Sequence, residues 1–166
     1  LKKPLRAVGL NPRPFPPGGM AEACGGTVRF RRVSEVRPAR PPSSFPEAVE
    51  RVAETLVRCF RECVEDLHSV AVGFSGGLDS SLTAMLLSEA GVDVQLLSVG
   101  VRGFMDFEAV EAAAEALGLP YTALSMDPEE VLKLVSDVAD AVETVELMDL
   151  SIAVPLYRVA SEASEM

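Results

Sequence analysis

Between Gly73 and Ser81 the sequence reads GFSGGLDSS, placing three glycines, three serines and one carboxylate in nine residues. Two chemistries use such a turn. One is nucleophilic: GFSGG fits G-x-S-x-G, the sharp strand-to-helix turn that exposes a reactive serine. That serine needs a base, and the chain holds a single histidine, His68, seven residues before Ser75. An intervening strand would set the two roughly 20 Å apart. Without a base Ser75 is an ordinary alcohol. The other chemistry is anion binding. Gly76 and Gly77 let the backbone turn sharply and aim successive N–H groups at an oxyanion. A helix starting there adds its own unsatisfied donors and its dipole.

In this second reading Ser75, Ser80 and Ser81 are uncharged hydroxyl donors. Asp79 is the odd member, because a carboxylate beside a phosphate repels it unless Mg²⁺ lies between them. The turn therefore reads as a cradle for a magnesium polyphosphate. It is not a Walker loop, since GxxxxGK[ST] is absent. The plain alternative is a strand–helix turn in which Asp79 or Ser80 only caps the helix.

The elements that must position this turn follow from hydrophobic periodicity. SVAVGF, residues 69–74, is a short apolar β run, and SSLTAMLLSEAG a helix that stops at Gly91. VDVQLLSVGV gives a second strand at 93–100, DFEAVEAAAEALG a helix with Asp106 at its cap and Gly118 at its end, and residues 120–126 a third strand. DPEEVLKLVSDVADAV predicts a helix with Asp127 at the cap and Pro128 in the first turn. A last helix is expected within 149–165, irregular around Pro155. Strands and helices in alternation predict an α/β fold, a doubly wound parallel sheet covered on both faces.

Upstream, Ser44 is placed to cap one long amphipathic helix carrying Val49, Val52, Leu56, Phe60, Val64 and Leu67 and ending near His68. Nine of the twelve prolines lie in residues 1–46, which read as loop plus one hairpin, MAEAC and TVRFRRV joined by Gly25-Gly26. Leu1 opens the sequence, which we read as a piece of a longer protein.

Residues 1–46 carry nine basic and two acidic side chains, net +7; residues 47–166 carry six and twenty-three, net −17. A body that acidic repels a phosphate backbone, so nucleic acid is not the expected partner. The basic segment suits docking on an acidic surface. No apolar run reaches the roughly 18 residues of a membrane span, and no apolar stretch of a secretory signal follows the first basic residues. Cys24, Cys59 and Cys63 make no disulfide framework. Cys59 and Cys63, four apart, are expected as half-buried helix cysteines in a reducing, cytoplasmic setting. With one histidine and no CxxC pair, a zinc site lacks ligands.

SGGLDSS resembles the PP-loop of the ATP pyrophosphatase families, which adenylate a substrate and release pyrophosphate. Among these, LLSVGVRGFMDFEAVEAAAEALGLPY is similar to the second strand and helix of asparagine synthetases, with the S-x-G, the following acid and the A-x-x-LG in register. VETVELMDLSIAVPLY, Val142–Tyr157, resembles the segment before that family's second motif, and RPFPPGGMAEACGGTVRFRR the end of its glutaminase domain. The resemblance covers nearly the whole chain, most strongly 70–118. It implies that Phe74, Ser75, Gly76, Gly77, Leu78, Asp79, Ser80 and Ser81 bind ATP and its pyrophosphate, with Asp79 toward Mg²⁺. It also implies that Phe74 and Val99 meet the adenosine through backbone and that Glu143 faces the amino-acid pocket. The second motif, S-G-x-G-x-D-E, the glutaminase cysteine and the later catalytic lysine are not in these residues, so no catalytic residue is assigned.

The resemblance divides the chain into 1–43, the end of a glutaminase-like domain, and 44–166, the ATP-binding synthetase domain. It implies an ATP-dependent ligase that adenylates the aspartate side chain for attack by ammonia, whose source, free ammonia or glutamine, the resemblance leaves open. These 166 residues alone are expected to be inactive. The expected partners are these small molecules, a glutaminase domain or subunit, and a second copy or another chain along the edge of residues 69–74. The alternatives are another PP-loop synthetase, of the NAD or GMP synthetase or tRNA-modifying kind, or a non-catalytic nucleotide-binding scaffold.

Overall fold

In the computed structural model residues 15–34, 40–103 and 107–166 are described. The chain divides into two units, 1–48 and 49–166.

In the first unit β1 (Gly19–Cys24) pairs antiparallel with β2 (Thr27–Arg32). Gly25 and Gly26, at φ 55° and 76°, form the turn, as a two-residue hairpin requires. The expected apolar face is there, but it is open: Val28 and Phe30 are exposed, and the Phe15 ring lies 6.0 Å from that of Phe30 between centroids.

Helix α1 (Phe45–Cys63) crosses the division between the units. Its start is capped as the sequence predicts, with Ser44 Oγ accepting from Glu47 N–H at 3.3 Å. Its end differs. The helix stops at Cys63, not near His68, because the chain tightens into i→i−3 bonds, Val64 N–H to the Arg61 carbonyl and Leu67 N–H to that of Val64. This turn carries Val64 into the core, and Phe60 packs beside it, while Val49 and Val52 stay exposed. Cys59 and Cys63 are exposed rather than half-buried, since each stands one position off the apolar line.

The second unit is built on β3 (Ser69–Gly73), β4 (Asp93–Val101) and β5 (Tyr121–Met126), parallel and in the order β3-β4-β5. The register pairs Gly73 with Leu97 and Val99 with Leu124. The crossovers are α2 (Leu78–Glu89) and α3 (Phe107–Leu117); Asp106, the expected cap of α3, lies outside the described residues. After β5 come α4 (Pro128–Val142) and α5 (Leu147–Ala163). Pro128 opens α4, and the Glu130 carboxylate accepts from Asp127 N–H at 2.6 Å, half of a capping box. Helix α5 starts at Leu147 and runs through Pro155 without a break. Pro155 cannot donate to the Ser151 carbonyl, but burial of Leu150 and Val154 in the preceding turns holds the helix in place.

Both faces of the sheet are covered. Val72, Phe74, Val94 and Leu96 meet Ala84 and Leu87 of α2 and Val110 and Ala114 of α3. On the other face α4 and α5 pack together over Met126, Val138, Leu150 and Val154, with Val99 against them. Alternation along the strands sorts side chains between the two cores. Helix α2 leaves β3 on one face while α5 returns over β3 and β4 on the other. The carboxyl end of β3 therefore lies where helices of opposite faces part, the place where open α/β sheets bind ligands. Among the described residues no helix is long and apolar enough to cross a membrane.

Candidate functional site

The turn at Ser75 occupies that carboxyl end. The β3–β4 ladder runs one bond past the strand, with Phe74 N–H donating to the Leu97 carbonyl at 2.8 Å. Then the chain leaves the sheet. Gly76 takes φ 73°, a left-handed conformation that suits glycine, and lies against α3 at Val110. Gly77 is the N-cap of α2, and no side chain caps the helix. The first intrahelical bond is Ser81 N–H to the Gly77 carbonyl at 3.0 Å. The amides of Leu78, Asp79 and Ser80 thus form the uncapped first turn, whose N–H groups have no intrahelical acceptor.

This arrangement decides against the capping alternative. Asp79 and Ser80 stand inside the helix, at its second and third positions, and neither acts as the cap. The Ser80 hydroxyl instead donates back to the Gly77 carbonyl at 3.1 Å and accepts from Ser75 N–H at 3.3 Å. Ser75 Oγ lies 3.1 Å from Ser80 Oγ and accepts from Gly77 N–H at 3.3 Å. The two hydroxyls knit the turn from inside, while Leu78 and Asp79 are exposed on its rim. Ser75 has hydroxyl and amide partners and no imidazole beside it, so the nucleophilic reading finds no base. His68 stands beyond the opposite end of β3, where its carbonyl accepts from Asp93 N–H.

Beside the turn lies an open cavity of about 250 Å³. The strand ends supply Phe74, Ser75, Leu97 and Val99 to its wall, and α5 supplies Ile152, Pro155, Leu156 and Val159. The wall is therefore mostly apolar, with Ser75 as its polar side chain at the turn. Glu143 does not line it; this residue ends α4 in a left-handed conformation at φ 55°. Arg102, the first cation after β4, pairs with Asp127 at 3.4 Å, exposed on both sides.

Two contributions were not predicted. The α5 wall could not be placed from local pattern, because it depends on how the chain returns over β3. Ser98 is the other: it is buried, and its hydroxyl donates to the Phe74 carbonyl. Its signal is a lone hydroxyl in the apolar run VDVQLLSVGV.

As a magnesium site the turn offers one carboxylate and several hydroxyls. Among the described residues no group of three or more His, Cys, Asp or Glu side chains could hold a metal ion. This donor set fits a hard cation that arrives on a polyphosphate and takes one protein carboxylate. It does not fit an all-protein metal cage.

Comparison with known proteins gives a consistent set. Residues 51–166 match the family model for asparagine synthase. A protein of Methanocaldococcus jannaschii that carries the name of a glutamine-hydrolyzing asparagine synthetase is 33% identical over 122 residues, 74% of this chain and 22% of that protein. The tRNA-specific 2-thiouridylase MnmA of Shouchella clausii is 40% identical over 74 residues, 36% of this chain and 19% of the relative. The chain thus spans about a fifth of the length of these curated relatives. Among solved structures, the glutamine-dependent NAD+ synthetase of Acinetobacter baumannii, in complex with ADP, superposes with a TM-score of 0.52 at 20% identity, over 82% of this chain and 26% of that one.

Proposed function

The chain belongs to the asparagine synthase family, and from that premise we propose that residues 44–166 form the ATP-binding part of a ligase that adenylates the side-chain carboxylate of aspartate. The observation that carries this reading is the uncapped start of α2, facing the carboxyl end of β3 beside an apolar cavity. The amides of the turn and the hydroxyls of Ser75, Ser80 and Ser81 suit the β- and γ-phosphates. The apolar wall suits the adenine.

In the reaction a carboxylate oxygen attacks the α-phosphorus, the bond to the β-phosphate oxygen breaks, and pyrophosphate leaves with the electron pair. Ammonia then attacks the acyl carbon and AMP departs. Residues 75–81 hold the leaving pyrophosphate and neutralise the charge that grows on it, which is electrostatic rather than nucleophilic catalysis. Asp79 is the residue that would hold Mg²⁺, which neutralises phosphate charge when bound. Phe74 and Val99 reach the nucleoside through backbone. Alternate amides of β4 face β3, as the bonds of Asp93 N–H to His68 and of Phe74 N–H to Leu97 show. Val99 N–H is the next in that row, past the end of β3. Glu143 is assigned to the amino-acid side.

Residues 1–43 would then be the end of a glutaminase-like domain that supplies ammonia. The outer edge of β3 has no strand partner among the described residues and is the natural place for another strand to pair, from a second copy or another chain. Similarity to a tRNA thiolating enzyme favours a second reading, a PP-loop synthetase with another acceptor; a net charge of −17 over 47–166 weighs against a nucleic-acid substrate.

ATP–pyrophosphate exchange separates these readings when measured on the full-length protein that contains this chain. Exchange that requires aspartate supports the proposal. Exchange that requires another carboxylic acid or an RNA selects the second reading, and Mg-ATP binding without exchange leaves a nucleotide-binding scaffold.

A further inference from the structure

Ser98 is the one polar residue buried as a whole among the described residues, 1% exposed, and by alternation it shares the face of β4 that carries Val94 and Leu96 toward α2 and α3. Its hydroxyl donates to the carbonyl of Phe74. In a parallel ladder that carbonyl would accept the next amide of β4, Val99 N–H. The ladder ends instead at Phe74 N–H, and the Ser98 hydroxyl takes the carbonyl over.

The consequence lies on the other side of the same peptide bond. A trans peptide is planar, so the Phe74 carbonyl and the Ser75 N–H point in opposite directions. Drawing the carbonyl down onto β4 turns the Ser75 N–H up into the turn, where it meets Ser80 Oγ at 3.3 Å. If the peptide flipped, a carbonyl oxygen would face the place assigned to the phosphates and repel them.

We propose that Ser98 is a positioning residue for the phosphate cradle: its buried hydrogen bond to Phe74 sets the orientation of the Ser75 amide, the first donor of the turn. This rests on the reading of residues 75–81 as a pyrophosphate site. A serine that merely satisfied a buried carbonyl would affect every ligand of the fold alike. A serine that aims one amide affects the phosphates more than the nucleoside, which rests mainly on the apolar wall.

The test uses the full chain. Ser98→Ala should shift the Ser75 amide resonance and speed its hydrogen exchange without ligand. Calorimetry should show affinity for magnesium pyrophosphate falling by about tenfold or more, because a turned peptide aims a carbonyl oxygen where the phosphates are assigned. Affinity for adenosine, held mainly by the apolar wall, should fall by clearly less than that for pyrophosphate. Ser98→Thr, which keeps the hydroxyl, should restore pyrophosphate binding. If Ser98→Ala fails to fold, Ser98→Cys, close in volume and a weak donor, is used in its place with the same expectations. An unchanged Ser75 amide overturns the proposal whatever binds. So does an equal loss of adenosine and pyrophosphate affinity, or pyrophosphate binding that does not change. A parent chain that binds no pyrophosphate, with a Ser75 amide that still responds to Ser98, overturns the cradle reading and with it the role assigned to Ser98.

Discussion

A methyl group placed on Gly76 would stand 3.3 Å from the Cα of Val110. The neighbour is helix backbone, which cannot swing aside as a side-chain tip could. The glycine thus does two things: it permits φ 73°, and it lets α3 close on the back of the turn.

Gly76→Ala should therefore cost more than a left-handed conformation alone. The conformation accounts for about 1–2 kcal/mol, and displacing α3 adds to it. Gly118, at φ 67° with nothing within 4 Å of an added methyl, is the control. Urea denaturation should show Gly76→Ala losing more stability than Gly118→Ala. Equal losses would mean that contact with Val110 is unimportant.

Asp79→Ala should remove most of the magnesium-dependent part of ATP affinity and leave the magnesium-free part equal or somewhat stronger, since the repelling carboxylate is gone. The side chain is exposed in the first turn of α2, so stability should change by less than about 0.5 kcal/mol. Calorimetry with and without Mg²⁺ tests this. Parent-like affinity of the variant in magnesium would remove Asp79 from the metal site.

Ser75→Ala should leave hydrolysis of a p-nitrophenyl ester at background, as in the parent, because the partners of that hydroxyl are Ser80 and an amide. A real turnover that disappears on substitution would restore the nucleophilic reading. The same variant should weaken pyrophosphate binding.

Leu96→Ala tests the sheet. Leu96 is fully buried in β4, in the core it shares with Val72, Val94 and, from α3, Val110 and Ala114. The loss should be about 2–5 kcal/mol. A change below about 1 kcal/mol would show that this face of the sheet is loosely packed.

The parts legible in the sequence were those with a local cause. Residues 69–126 read correctly as strand, helix, strand, helix, strand because their hydrophobic period switches cleanly and Gly91 and Gly118 mark helix ends. Pro128 and Asp127 announced α4 for the same reason. What was illegible depends on distant chain. Val49 and Val52 form a proper helical stripe, yet nothing in a stripe says what will cover it, and both are exposed. Leu156 and Val159 near Gly73 follow from the return of α5 over the sheet, not from their own neighbours. Glu143 at φ 55° adopts a conformation that its side chain gives no reason to expect. Ser98 was not singled out: it is a lone hydroxyl in an apolar run, and its partner, 24 residues away, does not follow from that run.

The bare first turn of α2 has a thermodynamic corollary. Helix starts are usually completed by a side chain; this one waits for a solute. Any anion that completes it binds the native state alone, so by mass action it raises the melting temperature. At a hundred times its dissociation constant a ligand adds about 2.7 kcal/mol, several degrees for a unit of this size. A thermal melt across nucleotides, pyrophosphate and candidate acids would then rank what the protein prefers before any turnover is detected. The order of the shifts would identify the acceptor from the fold's own response.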